Sequence, residues 1–317
     1  MPVIASLRLL FAMLGMMLVA TPALAACVTA SGALTFAPVS SYDVRGGTVA
    51  VVSGSAGLSC SGSVLTVLGG NSARATVTSL NQFRLVQGAD AIAYQLSADA
   101  NASTPFTQGS TVNYMSGSLL TLLGDGSSFT APLFARLTAA PNVPAGTYLD
   151  TLTVQWDYSV CNGVNVLTLV CLGYDTGRVT VTIQVTLVVG NDCKITAPDL
   201  SFGSAALVSQ FRPMTSAVQI DCTRNAAYRI GFTAGGAGTG AAWRRMTGGT
   251  GAVLQYQIYQ ADGVTVWTEA NTLPGNAPGT GSLTPVQTYP YVARINPAQV
   301  TPPAGSYQDT VSVVVTF

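Results

Sequence analysis

The chain has no histidine and a single lysine, Lys194, in 317 residues. Without histidine it lacks the usual general base at neutral pH and the commonest zinc ligand. Charged residues make up only 8%, with 13 cationic and 13 acidic side chains and no net charge. That excludes the basic patch a nucleic-acid partner requires. The carboxylates Asp43, Asp90, Asp99 and Asp150 are scattered, without the paired spacing of acid–base catalysis. The glycine-rich stretch 235–240 has no lysine and no following helix, so it reads as a loop and not as a phosphate cradle. Sustained helical periodicity is missing from the chain after residue 25. Neither enzyme nor cofactor is expected; Asp150 and Asp309 share a repeat position just after a turn and read as structural.

What is abundant is apolar. Hydrophobic residues make up 48% of the sequence, and glycine contributes 33 positions. Short runs rich in Val and Thr, separated by Gly, Pro and Asn, read as strands and turns. So apolar and weakly charged a surface suits a protein that is buried in an assembly. At the start, Arg8 precedes an apolar run from Leu9 to Ala20, and Ala23-Leu24-Ala25 forms a small-residue cleavage pattern. This is a secretory leader covering 1–25, too short for a membrane span. In an exported chain six cysteines read as disulfides.

The remainder contains one unit twice. Cys27 and Cys193 each stand nine residues before a phenylalanine, Phe36 and Phe202, with Leu34 and Leu200 at matching places. Second cysteines follow at Cys60 and Cys222. Three further matches keep the order: Ile92–Asp99 with Leu254–Asp262, Pro132–Leu137 with Pro290–Ile295, and Pro144–Val154 with Pro303–Val313. The duplication pairs Cys27 with Cys60 and Cys193 with Cys222, and leaves Cys161 to pair with Cys171. Two antiparallel immunoglobulin-like β-sandwiches are expected, over 26–190 and 191–317.

The two repeats end differently. Tyr158 aligns with Phe317, but the first repeat continues into a further strand at Arg178–Val189. The second stops. A sandwich short of an edge strand exposes unpaired backbone and an apolar groove. The second sandwich is therefore expected to accept a donor strand along an edge formed by Tyr307, Val311, Val313, Val315 and Phe317. With only Ala26 ahead of Cys27 after leader removal, no donor arm is expected at the front. A subunit that accepts and does not donate caps one end of a fibre.

The residues Cys193, Leu200-Ser-Phe202-Gly203, Cys222, Arg245-Met246, Leu254-Gln-Tyr256-Gln-Ile258-Tyr259 and Gly305-Ser-Tyr307-Gln-Asp309-Thr-Val-Ser-Val resemble the spore coat protein U-like domain. That domain builds the subunits of archaic chaperone–usher pili. The resemblance covers 193–317 well and 27–158 more loosely, through Gly146-Thr-Tyr148-Leu-Asp150. The first repeat departs from the pattern by extra loops and its own last strand. A two-domain member resembles a pilus tip adhesin. The resemblance implies a periplasmic chaperone, an outer-membrane usher, a neighbouring pilin subunit, export to the cell surface, attachment and biofilm formation. It also implies hydrophobic finger-like loops on the first domain.

Three short runs fit such fingers. The first holds Val64, Leu65, Val67 and Leu68. The second holds Leu119, Leu120, Leu122 and Leu123, with Met115 ahead of it. The third holds Val164, Val166, Leu167, Leu169 and Val170, inside the loop closed by Cys161 and Cys171. The second aligns with a polar stretch, Asn276–Pro285, and the third has no counterpart, so both read as exposed. The first matches Tyr228–Phe232 and remains either a finger or a core strand. The expected target is a hydrophobic abiotic or host surface. A structural coat or pilus subunit without adhesion and a glycan-binding tip are the alternatives; for the latter Tyr42, Tyr114 and Trp156 are too dispersed in sequence to suggest a pocket.

Overall fold

A computed structural model describes residues 26–61, 70–116, 119, 128–138, 140, 142–161, 173–237, 243–249, 251–277 and 286–317. The expected leader, 1–25, lies outside them. Among the described residues no helix is long and apolar enough to cross a membrane.

Strand residues alternate inward and outward, as a half-buried sheet requires. In the first repeat the strands are β1 (Ala26–Thr29), β2 (Gly32–Thr35), β3 (Val39–Ser40), β4 (Val52–Ser61), β5 (Ser72–Ser79), β6 (Arg84–Gln87), β7 (Asp90–Ser97), β8 (Thr111–Asn113), β9 (Ser128–Leu137), β10 (Gly146–Cys161) and β11 (Tyr174–Gly190). One layer runs β1-β4-β9-β7-β6, and the other groups β8, β5, β10, β11 and β2. β10 joins them: Leu149 pairs with Val86 of β6, then Leu152–Ser159 pair with Ser79–Ser72 of β5. Trp156 lies at the centre, fully buried, with its Nε1 donating to the Ala56 carbonyl at 3.0 Å.

The second repeat supplies β12 (Cys193–Thr196), β13 (Met214–Cys222), β14 (Ala227–Phe232), β15 (Arg244–Gly248), β16 (Val253–Gln260), β17 (Leu273–Asn276), β18 (Gln287–Ile295), β19 (Tyr307–Gln308) and β20 (Val313–Thr316). They form the layers β12-β13-β18-β16-β15-β19 and β17-β14-β20. A separate apolar core, from Val208 to Ile295, fills this sandwich. Position by position β12 repeats β1, β13 repeats β4, and so on to β18 and β9, with β19 and β20 together repeating β10.

The fold is antiparallel as expected, with one exception. β2 and β3 run parallel to β11, through Ile183↔Gly32 to Thr186↔Thr35 and Val189↔Val39. A long return strand inserted beside the first strand of a repeat meets it head to head, which the alternation of residues does not reveal. The packing here is close. Gly57, at φ 88°, has room for no Cβ, because the Ala30 carbonyl oxygen and Val181 Cγ2 would each be 2.7 Å away.

Two disulfides stand as expected, Cys27–Cys60 and Cys193–Cys222, and each joins strands that pair directly, β1 with β4 and β12 with β13. Cys161 is disulfide-bonded; its expected partner Cys171 lies outside the described residues.

The sandwiches meet at a polar joint. Helix α1 (Ser41–Gly46) starts with a capping box in which Ser40 and Asp43 bond each other's backbone, and ends on Gly47 at φ 66°. Both caps satisfy orphan helix-end groups. α1 thereby presents Tyr42 and Arg45 to the turn after β13. The Tyr42 hydroxyl donates to the Asp221 carbonyl, and Arg45 lies 3.6 Å from the Asp221 carboxylate. Ser41 and Thr223 share a buried hydroxyl contact of 2.9 Å. Asn142 accepts from the Arg224 backbone N–H at 3.2 Å, and the Arg224 guanidinium pairs with Asp90. Burial, followed by the nearby Asp221 carboxylate, pushes the Tyr42 phenol up to about 12.

Candidate functional site

The incomplete edge begins from β10 and β11. In the first sandwich they pair along sixteen residues, from Gly146↔Val189 to Cys161↔Tyr174. Val181, Ile183, Val185, Leu187 and Val189 point inward from β11 and are buried. They cover Leu34 and Phe36 on one side and Tyr148, Leu152, Val154 and Trp156 on the other, none more than 2% exposed.

Among the described residues nothing gives the matching positions of the second sandwich such cover. Leu200, Phe202, Tyr307, Val311, Val313 and Val315 all pack against its core and are only partly buried. β20 pairs with β14 through Arg229↔Thr316 to Phe232↔Val313. Among the described residues no strand pairs with its other edge. Two local differences accompany this. Residues 197–207 form no strand, although 32–35 do in the first repeat, because a β11 equivalent is what β2 pairs with. The strand expected over Thr310–Phe317 is reduced to Val313–Thr316, since only one of its edges is bonded. Phe317 is 59% exposed.

The groove floor is the same in both repeats where it matters most. Tyr148 and Tyr307 each donate a hydroxyl hydrogen bond to the proline carbonyl four residues back, Pro144 at 2.9 Å and Pro303 at 2.6 Å. Asp150 accepts from Tyr94 and Ser79 hydroxyls, each at 2.6 Å, and Asp309 accepts from the Tyr256 hydroxyl at 2.6 Å. Burial and these carboxylates push both phenols up. The structural reading of the two aspartates accounts for every bond they make.

The carboxylates of Asp43, Asp90 and Asp99 are also engaged. Asp43 caps α1 and Asp90 holds Arg224. The Asp99 carboxylate accepts from the N–H groups of Asn101, Ser103 and Thr104 at 2.7–3.0 Å. Its burial raises the pKa, but these bonds outweigh it and the net shift is downward. Tyr114 and Trp156, far apart in sequence, are brought together at a 5.5 Å centroid distance, yet both are fully buried. Tyr42 sits at the joint, so these three make no aromatic binding pocket.

The finger candidates fall unevenly. Val64, Leu65, Val67, Leu68, Leu120, Leu122, Leu123, Val164, Val166, Leu167, Leu169 and Val170 lie outside the described residues. Leu119 is a correction: it is 3% exposed and belongs to the first core, and Met115 packs partly buried against it. A second correction concerns the first run. The core strand that repeats Tyr228–Phe232 is β5, since Ala75 pairs with Trp156 as Ile230 pairs with Val315. The first run is therefore an insertion ahead of that strand.

The strands flanking the three runs converge. Ser61 pairs with Ser128, Ser72 with Ser159, and Cys161 with Tyr174. The Asn71 Oδ1 accepts from the Cys161 N–H at 3.0 Å, and the Asn113 Oδ1 from the Ala73 N–H at 3.1 Å. All three connections thus leave from one end of the first sandwich. The joint with the second sandwich is at the other end of β10, beside Gly146 and Val189. Sixteen residues of strand separate the ends by about 50 Å. Composition and spacing could not place these roots, because each contact joins segments remote in sequence.

The family model of the Spore Coat Protein U domain matches residues 13–155 and again 179–314. No curated protein sequence matches the chain. Among solved structures, one chain of the CsuC–CsuE chaperone–tip adhesion subunit pre-assembly complex, from the archaic chaperone–usher Csu pili of Acinetobacter baumannii, is similar. It has 24% identity and a TM-score of 0.64, with 92% of this chain and 100% of that one covered. The CupB6 tip adhesin of Pseudomonas aeruginosa aligns over 92% of this chain and 94% of its own, at 12% identity and a TM-score of 0.33.

Proposed function

The chain belongs to the spore coat protein U domain family, and from that premise we propose that it is the tip subunit of a chaperone–usher pilus. Its domains are the first sandwich, 26–190, for surface contact, and the second, 191–317, for attachment to the fibre. The observation that carries this reading is the pairing of β10 by β11 against the open edge of β20. A closed sandwich joined to an open one can be added to a fibre at a single end. In the periplasm the open groove takes a strand from a chaperone, and at the outer-membrane usher it takes one from the neighbouring pilin subunit. The similarity to a chaperone-bound tip subunit agrees with this partner set.

Attachment is assigned to the three apolar runs at the far end of the first sandwich. Their roots lie together and away from the joint, where a tip meets a surface. Each Leu or Val transferred from water into an apolar surface contributes about 1.5–3 kcal/mol before ordering costs. Many pili per cell multiply the effect and support biofilm formation. Such binding has little chemical specificity and weak salt dependence.

The test replaces Leu122, Leu167 and Leu169 by Thr in the full-length subunit and measures adhesion to plastic together with pilus number. Loss of adhesion with normal piliation is expected. Unchanged adhesion rules out the finger mechanism. Failure of the wild-type chain to co-purify with a periplasmic chaperone rules out the pilus assignment.

A further inference from the structure

β11 belongs to the first sandwich by its bonds, but to the second repeat by its place in the sequence. The two family matches share one frame. Each starts 14 residues ahead of its first cysteine, at 13 ahead of Cys27 and at 179 ahead of Cys193. They end at aligned positions, Gln155 and Val314. In the second match, the stretch ahead of the cysteine is 179–192, and all but its last two residues are β11. In the first match it is 13–26, which the leader occupies almost entirely.

We infer that β11 is the leading arm of the second repeat, folded back into the sandwich that precedes it, so that the chain is a fused donor–acceptor pair. The strand count agrees: among the described residues β1 and β4–β10 have counterparts in the second repeat, whereas β11 and the two short strands that pair with it, β2 and β3, have none. Its position agrees too, because only Asn191 and Asp192 separate it from Cys193.

This rests on the reading of β20 as an acceptor edge, and it names the strand that edge takes. Opposite Val189, Leu187 and Val185 in the first sandwich stand Gly146, Tyr148 and Asp150. In the second groove the same places hold Gly305, Tyr307 and Asp309. Opposite Ile183 and Val181, Leu152 and Val154 become Val311 and Val313. The floor is thus identical at three places and conservative at two. A segment with the pattern of β11, Val-x-Ile-x-Val-x-Leu-x-Val, fits it, running antiparallel to β20 as β11 runs to β10. Trp156, which becomes Val315, opens the most extra space, so a larger side chain is accommodated near the position of Val179.

The experiment adds synthetic peptides to the full-length mature chain and follows thermal melting and amide exchange. One peptide has the sequence of residues 176–190, a second is its scrambled form, and a third alternates Val and Thr. The β11 peptide is expected to raise the melting of the second sandwich, protect β20, and bind at least about tenfold tighter than the scrambled one. If the Val–Thr peptide binds and the β11 peptide does no better than its scramble, the arm assignment is overturned while the acceptor groove stands. If no peptide binds, the groove itself is overturned.

Discussion

Trp156 and Val315 occupy the same position in the two repeats, and only Trp156 is sealed from solvent. The difference comes from what lies beside them. β11 covers the edge next to Trp156, and among the described residues nothing pairs with the edge next to Val315. The two residues therefore answer differently to substitution. Trp156→Ala removes the largest buried side chain of the first core and is expected to cost about 3–5 kcal/mol. Val315→Ala in the uncomplemented chain is expected to cost well under half as much. Denaturant unfolding of the full chain, following each sandwich separately, checks the contrast.

Donor acceptance is the property that β20 substitutions should strike. Val313→Asp places a carboxylate on the groove floor. It leaves the first sandwich intact, but weakens strand or chaperone capture by roughly 30- to 100-fold, from the loss of about 2–3 kcal/mol of apolar contact. Pull-down by a periplasmic chaperone, compared with Thr316→Asp on the outward face, measures it.

The joint makes a separate prediction. Arg224→Ala leaves Asp90 without its cation, while the backbone bond from residue 224 to Asn142 remains. Removing a partner from such a partly buried polar set costs about 1–3 kcal/mol. The expected readout is a broader distribution of interdomain distances in solution scattering and a split of the melting transition into two. A single sharp transition in the variant contradicts a joint held by these groups.

Acid should loosen the same joint through α1. Hydrogen bonds from the Ser40 backbone, then from its hydroxyl, hold the Asp43 carboxyl below the ordinary aspartate value. A depressed folded pKa contributes stability that is complete above the unfolded value of about 3.9 and is lost as pH falls through the lower folded one. α1 is therefore expected to keep its cap above pH ~4 and to fray below it, whereas Asp43→Asn removes this pH dependence. Amide exchange at residues 41–46 over that range checks the sign.

The disulfides of the two sandwiches should weigh similarly, because their loops are of similar length, 33 and 29 residues. Replacing either pair by serine is expected to cost about 3–4 kcal/mol in the chain-entropy model. Loss of Cys193–Cys222 also frees β12 beside the joint, so its effect should appear in both melting and interdomain distance.

Much of this was legible in the sequence because duplication supplies its own alignment. Two cysteine pairs and the extra strand of the first repeat follow from comparing Cys27 with Cys193 and Pro144–Val154 with Pro303–Val313. Local pattern failed where the partner was distant. Run one resembles Tyr228–Phe232 in composition, but pairing with Trp156 gives the core place to β5. Leu119 reads as exposed by alignment with a polar stretch, yet it is drawn into the core. The joint was invisible, since Tyr42 meets Asp221 across 179 positions. Its one local signal, Ser40 three residues before Asp43 at a helix start, is short enough to be lost among strands.

Amide exchange along β20 of the uncomplemented full-length chain tests the central claim most directly. Alternate amides between Val311 and Phe317, on the edge turned away from β14, should exchange rapidly and become protected on addition of a donor strand, while Leu152–Trp156 stay protected throughout. If those β20 amides are protected without any added strand, the second sandwich is closed and the account is wrong.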